Sequence, residues 1–144
     1  MAPEADPGID WPAAFRGGFA YVCIVFAIGF ALGTLRVLLV VPAFGNTVAV
    51  VAEAPLMLAA SWVVSRWCTR RFGVRGDVAT RVAMGAVAFS ALMFIEFGFA
   101  VVLYGDTLVR YLAKFATLPG AIGLAMQSLF AACPALQASR HGWR

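Results

Sequence analysis

Apolar residues run almost without interruption through positions 19–41, 47–67, 79–103 and 119–136, and polar residues gather in the short stretches between them. Each run approaches the roughly 20 residues, at 1.5 Å rise, that a helix needs to cross a bilayer. The pattern predicts an all-α fold: an integral membrane four-helix bundle. Between the third and fourth runs, "YGDTLVRYLAKFATLPG" places Asp106, Arg110 and Lys114 at i, i+4 and i+8, with Leu108, Tyr111, Leu112 and Phe115 on the other side. That spacing predicts a short interfacial amphipathic helix before the last span.

Proline, glycine and capping residues set the expected ends. Pro42 and "AFGN" after it should stop the first span, because proline cannot continue the hydrogen-bond ladder. Asn46 or Thr47 is placed to cap the second span. Within "RWCTRRFGVRGDVATR", residues 66–81, Gly73 and Gly76 break the helix and Asp77 is placed to cap the third. Pro119 falls in the first turn of the fourth, where its missing N–H costs little. Residues 1–18, carrying Pro3, Pro7, Pro12, Glu4, Asp6 and Asp10, read as a disordered acidic leader. Residues 19–136 read as a single four-span domain and 137–144 as a basic cytoplasmic tail. The acidic leader and the length of the first run favour a retained span over a cleaved signal.

Composition agrees with the pattern. The chain is 62% hydrophobic and 12% charged, against about half and a quarter in soluble domains. Of 11 basic residues, ten are Arg, and the formal charge is +4. If the 66–81 loop faces the cytoplasm, that side collects Arg16, the loop's five arginines, Arg140 and Arg144, while the other side has Arg110 and Lys114. The positive-inside rule then puts both termini in the cytoplasm. The loop's arginines, Arg66, Arg70, Arg71, Arg75 and Arg81, are expected to meet anionic lipid headgroups in the bilayer, not nucleic acid. Cys23, Cys68 and Cys133 form no CxxC, and the one histidine, His141, lies in the tail. No metal-ligand set, cofactor or disulfide is expected.

Three ionisable residues interrupt the apolar runs. Arg36 lies five residues before the end of the first, Glu53 six after the start of the second, and Glu96 seven before the end of the third. All three therefore sit about 7 to 11 Å below one boundary. An isolated charge at that depth is costly, so the three are expected to face inward as a buried polar cluster, structural or transport-related. Glu53 is the expected partner of the Arg36 guanidinium, with Glu96 close by. Two carboxylates around one arginine leave one of them able to hold a proton at neutral pH. "GFALG" puts Gly29 and Gly33 on the Arg36 face, a small-xxx-small pattern that admits a neighbouring backbone. Pro55, two residues after Glu53, removes the hydrogen bond to the Val51 carbonyl. Gln127, Ser128 and Ser61 are further pore or packing polar candidates. Ser61 has no histidine or lysine base at a similar depth, and no enzymatic activity is expected.

The stretches "GFALGTLRVLLVVP", "AEAPLMLAASW" and "RVAMGAVAFSALMFIE" resemble a group of small, uncharacterised four-span bacterial inner-membrane proteins. The resemblance covers most of residues 17–136 and implies a location but no activity. "GFALGTLR" is also similar to the start of small fluoride-channel proteins, although the "VNxxG" of their second segment is missing. Small multidrug exporters use a glutamate in the first span, where this chain has Arg36. The expected function is that of a structural or accessory multi-pass protein, alone, as a homo-oligomer or with another membrane protein. The alternative is a small proton-coupled transporter or channel subunit using Glu53 and Glu96.

Overall fold

The computed structural model of the chain describes residues 8–138. The elements are helical: α1 (Trp11–Leu35), a π turn (Arg36–Val40), α2 (Val41–Phe44), α3 (Asn46–Arg71), α4 (Val78–Tyr104), α5 (Leu108–Ala113), a 3-10 turn (Lys114–Ala116) and α6 (Leu118–Ala138). Four stretches, Trp11–Phe44, Asn46–Arg71, Val78–Tyr104 and Leu118–Ala138, are long and apolar enough to cross a membrane. They pack in the ring order α1, α4, α6, α3, with α3 returning against α1. Across the ring, the Tyr21 ring of α1 stacks on Phe130 of α6 at 4.3 Å between centroids, and its hydroxyl donates to the Phe130 carbonyl at 2.8 Å.

The expected leader is shorter than its composition suggests. Asp10 caps α1 by accepting from the Ala13 N–H, and Pro12 occupies the first turn, so residues 11–18 are helical. The Asp10 N–H also donates to Thr80 Oγ1, and Arg75 Nη1 donates to the Gly8 carbonyl, which ties this end to the loop before α4. Residues 1–7 of the leader and 139–144 of the expected tail lie outside the described residues.

Pro42 does not stop the first helix. The turn before it widens into a π turn, in which the Val41 N–H reaches the Arg36 carbonyl. The added residue moves the carbonyl that a proline ring would strike, so the helix continues to Phe44. The reversal comes at Gly45, whose φ of +82° suits glycine and few other residues. No side chain caps α3, and Asn46 is its first residue.

Asp77 caps α4 as its sequence position suggests, accepting from the Thr80 N–H at 2.8 Å. That backbone bond, with help from the Thr80 hydroxyl and Arg75, holds the Asp77 carboxyl below the usual aspartate range. A depressed folded-state pKa contributes stability above the unfolded value near 3.9 that is lost as pH falls through the folded value. Asp77→Ala is therefore expected to cost about 1 kcal/mol at pH 7 and nothing at strongly acidic pH. Asp77→Asn should keep most of the cap and lose its pH dependence. Thermal melting in detergent across pH 2–7 checks both.

Burial is uneven along the bundle. At one end α1 buries Ala13, Ala14, Gly17, Gly18, Tyr21, Val22 and Val25, while α4 buries Thr80, Ala83, Met84, Gly85, Ala88 and Leu92. Ser61, Ser65, Cys68 and Thr69 of α3 and Phe130, Cys133, Pro134 and Ala138 of α6 complete this half. Small residues let the backbones meet: a Cβ on Gly18 would lie 2.9 Å from the Met84 carbonyl oxygen, and one on Gly85 would collide with the Ala131 carbonyl. The expected close approach at Gly29 and Gly33 is absent. Gly29 faces the flexible end of Met57, and Gly33 faces the Arg36 guanidinium of its own helix. In the other half, Ala49 and Ala100 are the only buried members of the four long helices among the described residues. The bundle is a wedge, sealed at one end and parted at the other.

Candidate functional site

The parted half encloses a cavity of about 690 Å³. Its walls are largely apolar, from residues such as Val25, Phe26, Phe30, Met57, Leu92 and Phe99, and into them are set Arg36, Glu53, Glu96, Lys114 and Gln127. The three charged residues of the sequence analysis thus line one space. They do not form a single buried cluster.

Arg36 pairs with Glu53. The Nε to Oε2 distance is 2.9 Å, with the side chains 28% and 17% exposed. The Nε–H vector misses the carboxylate, so this is an ion pair without a directed hydrogen bond, and Arg36 Nε is a buried donor with no aligned acceptor. The bidentate contact expected of the guanidinium fork is not made. Placing Arg36 at the start of the π turn, on a helix that is wide and poorly covered there, lets it meet α3 while remaining partly exposed.

Glu96 finds its partner on the fourth long helix. Gln127 Nε2 donates to Oε1 at 2.7 Å and to Oε2 at 2.8 Å. Gln127 Oε1 is buried and accepts no hydrogen bond among the described residues. The segment of α5 and the following 3-10 turn also reaches this carboxylate. The Lys114 ammonium attracts it, and the Tyr111 hydroxyl lies near it while donating to Met93 Sδ at 3.8 Å. Burial first, then the Glu96 charge, push the Tyr111 phenol up to about 12, so it remains a donor at neutral pH. Tyr111 packs edge-on against Phe97 and Phe115, and Thr107 caps its short helix. The short helix expected before the last span is present and is docked by one tyrosine.

The cavity therefore holds two polar pairs on opposite walls. Arg36 and Glu53 join the π turn after α1 to α3, and Glu96 and Gln127 join α4 to α6. Ring order explains the split: α3 lies beside α1, whereas Glu96 faces α6. Of the remaining candidates, Ser61 is buried at the cavity floor beside the Tyr21 hydroxyl. Ser128 is exposed, its hydroxyl returns to the Leu124 carbonyl of its own helix, and it is not among the residues lining the cavity. Lys114, Tyr111 and the pairing role of Gln127 were not assigned to the site from sequence. An acid and an amide on different helices carry no spacing signal.

The five loop arginines separate as well. Arg66, Arg70 and Arg81 line a second cavity of about 430 Å³ at the sealed end. Arg71 lies over the Phe72 ring at 5.9 Å, and Arg75 Nε sits 3.4 Å from Asp77 Oδ1. The described cysteines are free thiols, and no group of metal-ligating side chains occurs among the described residues. Comparison with protein families, with curated proteins and with solved structures gave no match.

Proposed function

We propose that the chain is a four-span protein of the bacterial cytoplasmic membrane that binds and moves a small solute or protons through the cavity carrying Glu53 and Glu96. The observation that supports this reading is the cavity itself. Its volume and its mostly apolar wall with a few converging polar groups match small-molecule sites, and a purely structural clasp needs no such space. One orphaned polar atom, Gln127 Oε1, lines it, and buried polar atoms are normally satisfied. An acceptor without a donor suits water or a solute that can donate. Arginine counting supports an orientation with both termini in the cytoplasm and the cavity toward the external leaflet. The many exposed apolar side chains of the parted half, including Phe30, Leu38, Leu39, Phe94 and Val102, then face lipid.

Proteoliposomes with a pH-sensitive dye inside test the proposal. Wild-type protein should dissipate an imposed proton gradient, and Glu96→Gln should stop the flux while melting within a few degrees of wild type, since two amides can still pair. A second reading, a structural or accessory protein, is favoured by the Arg36–Glu53 pair joining the π turn after α1 to α3. Vesicles that hold their gradient as well as protein-free ones would select it.

A further inference from the structure

We infer that the pocket lined by Arg66, Arg70 and Arg81, at the sealed end of the bundle, binds a phosphate group. The pocket draws residues from three helices: Trp62, Arg66, Thr69 and Arg70 from α3, Arg81 from α4 and Gln137 from α6, with no carboxylate among its lining residues. Its floor is internally satisfied. Gln137 accepts from Ser65 at 3.1 Å and donates to the Trp62 carbonyl at 2.8 Å, and the Thr69 hydroxyl donates to the Arg66 carbonyl. Its cationic side chains are not. Among the described residues, the guanidinium groups of Arg66 and Arg70 have no acceptor, although like charges at i, i+4 repel. Arg81 is fixed by donation from Nε to the Arg75 carbonyl at 2.8 Å, which leaves both Nη groups as donors.

Three guanidinium forks around one concavity suit a tetrahedral oxyanion, because each fork matches two phosphate oxygens and a phosphate has several to share. Among the described residues, the acids at this end have other partners as well: Asp77 caps α4 and pairs with Arg75, although its charge also reaches Arg81, and Asp10 caps α1. The selection of three arginines out of five distinguishes this site from diffuse attraction to an anionic surface, which would use Arg71 and Arg75 equally. The phosphate can belong to a phospholipid headgroup or to a soluble phosphate, and the two sources share the chemistry.

Full-length protein in neutral detergent, titrated with phosphatidylglycerol and separately with inorganic phosphate, tests the site. Bound lipid is counted by native mass spectrometry, and phosphate is read by thermal shift. Saturable binding of one equivalent of either probe is expected, with affinity falling about tenfold for each of Arg66→Gln and Arg70→Gln, the scale of one charge-assisted contact. Arg71→Gln should change it less than twofold. Lipid binding that phosphate fails to displace assigns the site to a headgroup, and displacement assigns it to soluble phosphate; both support a phosphate site. Equal weakening by Arg71→Gln, or no saturable binding of either probe, would overturn it. Both arginines are exposed and unbonded within the described fold, so these variants should melt at the wild-type temperature without ligand.

Discussion

Gly85→Leu is expected to leave no folded bundle in detergent, and Gly85→Ala to cost about 3 kcal/mol, the upper range of overpacking. The reason is the identity of the neighbour. A Cβ at position 85 meets the carbonyl of Ala131, and a backbone oxygen on a packed helix cannot swing aside as a side chain does. Helices α4 and α6 would have to separate, and Ala88, Leu92, Phe130 and Cys133, all buried here, would lose contact together. Gly98 supplies the control. It lies on the same helix with nothing within 4 Å of an added Cβ, so Gly98→Ala should stabilise by about 0.5 kcal/mol through helix propensity. Denaturant titration followed by circular dichroism reports all three. A Gly85→Leu protein with wild-type stability would mean that the two backbones do not touch.

The second large effect concerns Arg36 and Glu53. Removing one member of a fully buried ion pair costs about 3 to 5 kcal/mol, because the survivor is stranded. These side chains retain 28% and 17% exposure, so about 2 kcal/mol is expected for Arg36→Met or Glu53→Met alone. The double variant should come within about 1 kcal/mol of wild type, since apolar side chains suit the surrounding Phe30, Val37 and Leu38. A double-mutant cycle on denaturation midpoints measures the coupling. Strictly additive losses would show that the 2.9 Å contact carries no interaction energy.

Much of this architecture is written in the apolar runs. The third span needed a correction of one residue at each end, because Asp77 and Gly105 are strong punctuation: one caps α4 and the other ends it at φ +65°. Pro42 misled because the rule for proline assumes an α-helical ladder, and a π turn satisfies the neighbouring N–H groups by another route. Arg36 and Glu53 were readable as a pair from their depth alone. Glu96 was readable as inward-facing, but its partner was not, since depth says nothing about which helix stands beside it in the ring. Gly85 had no signature either. "GFALG" carries the spacing associated with helix contact, yet the backbones meet at Gly18 and Gly85, where local spacing is silent and only tertiary packing selects the residue. Tyr21 and Tyr111 are both buried, and each has an acceptor inside for its hydroxyl.

The wedge has a consequence for traffic. If the cavity passes a solute as proposed, that solute would come and go by the parted end, because the stacked Tyr21 and Phe130 rings and the Tyr21 hydroxyl bond close the other end as a plug. Passage through the whole protein would require that plug to be drawn, so Tyr21 is the gatekeeper of any complete permeation route.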